Sequence, residues 1–84
     1  MELYKELEKV SDKEQFTKFI SSLANDLKLK PDEWENSDIE SFLQGVKSWV
    51  EDMEGYYENN NLPIPNDINW NFIATIFYVG KLYE

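Results

Sequence analysis

Residues 37–57 read Ser37-Asp38-Ile39-Glu40-Ser41-Phe42-Leu43-Gln44-Gly45-Val46-Lys47-Ser48-Trp49-Val50-Glu51-Asp52-Met53-Glu54-Gly55-Tyr56-Tyr57, and their spacing decides the fold. Ile39, Phe42, Leu43, Val46, Trp49, Val50, Met53, Tyr56 and Tyr57 recur at intervals of three and four. At 100° per residue they fill an arc of roughly 140°, the signature of an amphipathic helix and not of a strand. Ser37 followed by Glu40 has the form of a capping box, in which each side chain satisfies a backbone N–H of the first turn. The helix is expected to start there, with Gly55 as a weak point near its end.

The flanking sequence repeats the pattern. Ser11 with Glu14 forms a second capping box, and Phe16, Phe19, Ile20, Leu23, Ala24 and Leu27 follow as one apolar stripe. Pro31 ends that helix, because the residue before a proline is pushed out of the helical region. Leu3, Leu7 and Val10 suggest a short helix ahead of it. A third main helix is expected from near Asn69 to about Tyr83. Between the second and third lies Asn59-Asn60-Asn61-Leu62-Pro63-Ile64-Pro65-Asn66, an extended loop. Ile73–Val79 holds β-formers but has no second strand to pair with. The expected fold is all-α: one domain over residues 1–84, a small bundle of three main helices with a short extra helix at the N-terminus. Its core is aromatic, since the chain has three Trp, five Phe and five Tyr.

The inventory excludes whole classes of chemistry. There is no cysteine, hence no disulfide and no thiolate nucleophile. There is no histidine, which removes the usual general base near neutral pH and the commonest metal ligand. Every basic residue is lysine, so no guanidinium clamps a phosphate. Residues 1–6 lack the basic start and apolar run of a signal peptide, and no apolar stretch approaches the ~20 residues of a membrane span. A cytoplasmic protein is expected.

The charge is local. Residues 32–58 carry nine acids and one lysine, whereas residues 1–31 balance six acids with six lysines, and the whole chain stands at −9. Such a block repels nucleic acid and anionic membranes and attracts basic protein. On the helix, Glu40, Lys47, Glu51, Glu54 and Glu58 fall within about 60° of one another, a ridge on one flank of the apolar stripe. The ridge is either a partner-binding surface or a solvated face that keeps a small domain soluble. Glu51, Asp52 and Glu54 also suit Mg²⁺, as in all-helical nucleotide pyrophosphohydrolases. The facing acidic pair that such an enzyme needs is missing from the other helices.

Three further features stand out. Ser41, Gly45, Ser48, Asp52 and Gly55 make a row of small or short residues on the opposite flank, fit to seat a neighbouring helix or merely tolerated. The third helix is apolar nearly all round: Trp70, Ile73, Ala74 and Phe77 make one face, and Phe72, Ile76, Val79 and Tyr83 another. Only Asn71, Thr75 and Lys81 are plainly polar. Such a helix needs cover on every side, either from the N-terminal segment and the proline loop or from a second copy docking through Phe72, Ile76 and Val79. Trp34, in an acidic loop, is expected to fold back as an anchor.

The blocks Trp34-Glu35-Asn36, Phe42-Leu43, Trp49-x-Glu51-Asp52-Met53-Glu54-Gly55-Tyr56-Tyr57, Trp70-x-Phe72-x-Ala74 and Lys81-x-Tyr83-Glu84 resemble an uncharacterised family of small acidic bacterial proteins, a domain of unknown function. The resemblance covers roughly residues 11–84. It implies short chains with no assigned activity and marks Trp34 and Glu51–Tyr57 as family features. Tyr78-Val79-Gly80 departs from the Ala-rich sequence associated with the family there. The expected function is a non-enzymatic acidic interaction module of inhibitor or immunity type. It would bind a basic protein through Glu40, Glu51, Glu54, Tyr56 and Glu58, with no metal, cofactor or nucleic acid. The alternatives are the Mg²⁺-dependent pyrophosphohydrolase and a structural homodimer.

Overall fold

A computed structural model describes residues 2–83 and shows four helices: α1 (Leu3–Glu8), α2 (Lys13–Leu29), α3 (Ile39–Asn59) and α4 (Trp70–Leu82), with a single 3₁₀ turn at Pro31–Glu33. No strand occurs among the described residues. The helices start one residue later than the serine boxes suggest. Asp12 caps α2, its carboxylate accepting from the Gln15 N–H at 2.8 Å, while Gln15 reaches back to the Ser11 N–H and hydroxyl. Asp38 caps α3 in the same way through the Ser41 N–H at 2.8 Å. Where serine and aspartate adjoin, the carboxylate makes the stronger, charge-assisted cap. The Ser41 N–H also holds the Asp38 carboxyl below the usual carboxylate range. Asn69 caps α4 at the Phe72 N–H, as its position suggested.

α3 ends in a turn that composition alone did not show. Asn61 has φ 55°, the left-handed region that asparagine tolerates better than most residues. Its N–H bonds the Glu58 carbonyl, and the Leu62 N–H bonds the Tyr57 carbonyl. That pair is a Schellman motif, with Leu62 and Tyr57 as its apolar couple.

α4 is the hub. α1, α2 and α3 all pack on it, and among the described residues the backbone of α3 approaches no other helix closely. One core cluster joins Leu7, Val10, Phe19, Leu23 and Ala74; the other joins Trp49, Tyr57 and Phe72. Ile76 and Val79 pack against the second cluster. On the face offered as a dimer surface, Phe72 is buried against α3 and Ile76 and Val79 are half-buried.

The three plainly polar residues of α4 lie on its inner side. The Asn71 amide donates to the carbonyls of Leu7 at 2.9 Å and Val10 at 3.0 Å, satisfying the end of α1. Thr75 is buried, with its hydroxyl on the Asn71 carbonyl. Lys81 is buried and pairs with Asp26 of α2 at 2.9 Å. Trp70, Phe77 and Leu82 are the residues α4 shows to solvent. The Leu62–Pro65 segment leaves Leu62 and Ile64 exposed, and α1 and α2, with α3, are the elements that cover α4.

α3 meets α4 glycine to glycine. A Cβ on Gly45 would stand 2.6 Å from the Tyr83 carbonyl oxygen and 3.2 Å from that of Gly80. One on Gly80 would stand 2.6 Å from the Phe42 ring. The small-residue row does seat a helix, but only at Gly45: a Cβ on Gly55 meets nothing within 4 Å. α4, with 13 residues, is shorter than α3, with 21. It covers only part of the apolar arc of α3, and Ile39 (78% exposed), Leu43 (59%) and Val50 (40%) are left in solvent.

Trp34 folds back, as expected for an anchor. Its indole N–H donates to Asp26 at 2.9 Å, and the Lys81 ammonium lies 5.5 Å from its ring centroid. Asn36 is buried beside it. Its N–H donates to the Lys81 carbonyl, and its amide to those of Gly80 and Tyr83, so one loop residue satisfies the end of α4. The Lys81 ammonium donating to Asp26 holds that carboxyl below the usual range, against burial and with help from the Trp34 indole. A lowered folded-state pKa stabilises above the unfolded value, about 3.9 for aspartate, and is lost as pH falls through the folded value. Asp26→Asn is therefore expected to cost about 1.5–3 kcal/mol at pH 7. In melts from pH 7 to pH 2 the gap to wild type should close below about pH 4. A gap that stays constant would remove the charge from the account.

Candidate functional site

Helical periodicity places Glu40, Glu51, Glu54 and Glu58 on one line of α3, and all four are exposed. Lys47 joins the same line at 3.3 Å from Glu51, an i,i+4 pair open to water and worth only about 0.3–0.5 kcal/mol. Beside the line runs the bare strip of Ile39, Leu43 and Val50. The outer surface of α3 is thus acidic along one edge and apolar along the other. That combination can attract a basic surface by charge and retain it by burial.

Tyr56 is not part of this surface. At 100° per residue it lies roughly 140–200° around α3 from the four glutamates. It is half-buried, with its ring 5.5 Å from Trp49 and 5.1 Å from Tyr57. Burial pushes its phenol up, and the neighbouring Tyr4 adds to the shift. The grouping of Tyr56 with the acids is corrected on this point: the stripe that contains it turns inward, toward α4.

Tyr56 instead lines a cleft of about 690 Å³ between α1, α3 and the C-terminal half of α4. Tyr4 forms the α1 wall, Trp49 and Tyr56 the α3 wall, and Tyr78 and Tyr83 rise from α4. Asp52 stands at its edge, accepting a hydrogen bond from the Tyr83 hydroxyl at 2.7 Å. That bond raises the Tyr83 phenol, and burial raises Tyr78. Sequence reasoning placed Asp52 in the small-residue row and in the Mg²⁺ reading, set Tyr83 on an apolar face of the third helix, and gave no role to Tyr4 or Tyr78. The one available signal was the density of tyrosine, because their convergence depends on where α1 docks.

The carboxylates of Glu51 and Glu54 are directed to solvent. Among the described residues no group of three Asp or Glu gathers where a cation could be held. No helix there is long and apolar enough to cross a membrane.

The sequence pattern of a known family spans residues 12–84, from the α2 cap through α4. The chain belongs to DUF7660, a family of unknown function. No curated protein and no solved structure matches the chain. The DUF7660 match takes in the Trp34–Asn36 anchor, the Gly45–Gly80 crossing and the whole of α3. α1, which supplies Tyr4 to the cleft, precedes it.

Proposed function

We propose that this DUF7660 chain is a non-enzymatic interaction module that binds a basic protein on the outer surface of α3. One observation carries the reading: Glu40, Glu51, Glu54 and Glu58 stand exposed beside an uncovered strip of Ile39, Leu43 and Val50. A solvated face needs only the charges. Three large aliphatic side chains left bare along the same helix are more than solubility requires. Acting as an inhibitor or immunity-type protein, the chain would steer a basic partner with the acids and hold it with the aliphatics.

The test is affinity capture from the native cell with three baits. Wild type should retain basic proteins at 0.1 M salt and release them toward 1 M, as the Debye length shrinks from about 10 Å to about 3 Å. Glu51→Lys with Glu54→Lys should lose them. Glu14→Lys, an exposed reversal on α2, should keep them. A bound set indifferent to the double reversal would reduce the ridge to a solvated face.

A further inference from the structure

The cleft between α1, α3 and α4 is chemically unlike the ridge on the far side of α3. Its walls are aromatic: Tyr4, Trp49, Tyr56, Tyr78 and Tyr83. Its lining has one formally charged group, Asp52, and no lysine. The Tyr83 hydroxyl fixes that carboxylate at 2.7 Å without neutralising it, since a phenol donates a hydrogen bond and no charge. Aromatic faces carry negative quadrupole density and attract cations. An anion entering here meets Asp52 and finds no counter-charge. A volume of about 690 Å³ exceeds what a bare ammonium fills and falls within the roughly 300–1,000 Å³ of small-molecule sites.

Gly55 is the second, independent observation. It lines the cleft from mid-helix, where glycine costs about 1 kcal/mol relative to alanine. Packing does not demand it, because a Cβ there meets nothing within 4 Å. Its effect is to leave the mouth of the cleft open next to Asp52.

The geometry points to a binding site for an organic amine: a protonated amino group on Asp52, and an apolar or aromatic body among the rings of Tyr4, Tyr56 and Tyr78. The site is separate from the proposed partner surface and does not depend on it. The phenols of Tyr56, Tyr78 and Tyr83, all pushed up, stay neutral at physiological pH and add no competing charge.

Phenylbutylamine and its neutral counterpart phenylbutanol are the probes, read by amide NMR on the full chain. The amine should give saturable shifts at Gly55, Tyr56 and Tyr83, and the alcohol should bind about tenfold more weakly. Asp52→Asn should lower amine affinity about tenfold while leaving the alcohol unchanged. Gly55→Leu should obstruct the mouth of the cleft beside Asp52 and weaken binding at least tenfold, with a melting temperature at or above that of wild type. Glu51→Lys with Glu54→Lys should leave amine affinity within about twofold, because these residues lie outside the lining. Three results would overturn the site: no saturable shifts, equal binding of amine and alcohol, or amine affinity unchanged by Gly55→Leu. Loss of amine binding in the double reversal would also overturn it, by making the amine a counter-ion of the ridge.

Discussion

Trp49→Ala is expected to remove about 3–5 kcal/mol of stability, the range for truncating a buried aromatic residue to alanine. Trp49 is 3% exposed and lies at the centre of the α3–α4 cluster. Its ring sits 5.5 Å from Tyr56, 6.0 Å from Tyr57 and 6.5 Å from Phe72, so truncation strips three aromatic contacts and leaves a cavity. At about 0.05–0.15 kcal/mol per residue, 84 residues hold on the order of 4–12 kcal/mol in all. The loss is about a quarter or more of that total, so the variant should unfold at a markedly lower urea concentration. Urea titration followed by helical circular dichroism measures it. A midpoint near that of wild type would mean that α3 is rotated away from the orientation described.

Gly45→Ala and Gly55→Ala should change stability in opposite directions. The two glycines lie ten residues apart on α3, and substitution gains about 1 kcal/mol of helix propensity at each. At Gly55 the new methyl meets nothing within 4 Å, so a gain of up to about 1 kcal/mol is expected. At Gly45 it would press to 2.6 Å on the Tyr83 carbonyl oxygen and 2.6 Å on the Asn36 amide nitrogen. Backbone cannot swing aside, and Asn36 can yield only by dropping its bonds to Gly80 and Tyr83. Overpacking costs about 1–3 kcal/mol, and each carbonyl left buried and unpaired costs a similar amount. A net loss of roughly 2–4 kcal/mol should follow. Thermal melts of the two variants beside wild type decide the matter. Equal shifts of the same sign would show that α3 and α4 do not meet at Gly45.

Local patterns in the chain were enough to find the helices, because caps and apolar spacing are local properties. Asn69 and the stripes of α2 and α3 placed three of them, and Leu3, Leu7 and Val10 found the fourth. What could not be read was which side of each helix would be used. Asn71, Thr75 and Lys81 carry no sign that they face inward. Their orientation depends on the open end of α1 and the carboxylate of Asp26, which belong to other elements. Nor does the nine-member stripe of α3 show that a shorter neighbour will leave Ile39 and Leu43 bare. The acidic ridge was legible as four glutamates on one line. Tyr56 was misplaced because a position at the edge of an apolar arc can belong to either side.

The hub position of α4 bears on how the protein is made. Synthesis runs from the N-terminus, so α4 emerges after α1, α2 and α3. Until residues 70–82 leave the ribosome, α3 lacks the helix its backbone packs on, and the cluster around Leu7, Val10, Phe19 and Leu23 lacks Ala74. α1 and α2 can already pack on each other, but the apolar stripe of α3 stays unburied until α4 follows it. The domain closes only when α4 is captured by the three helices before it.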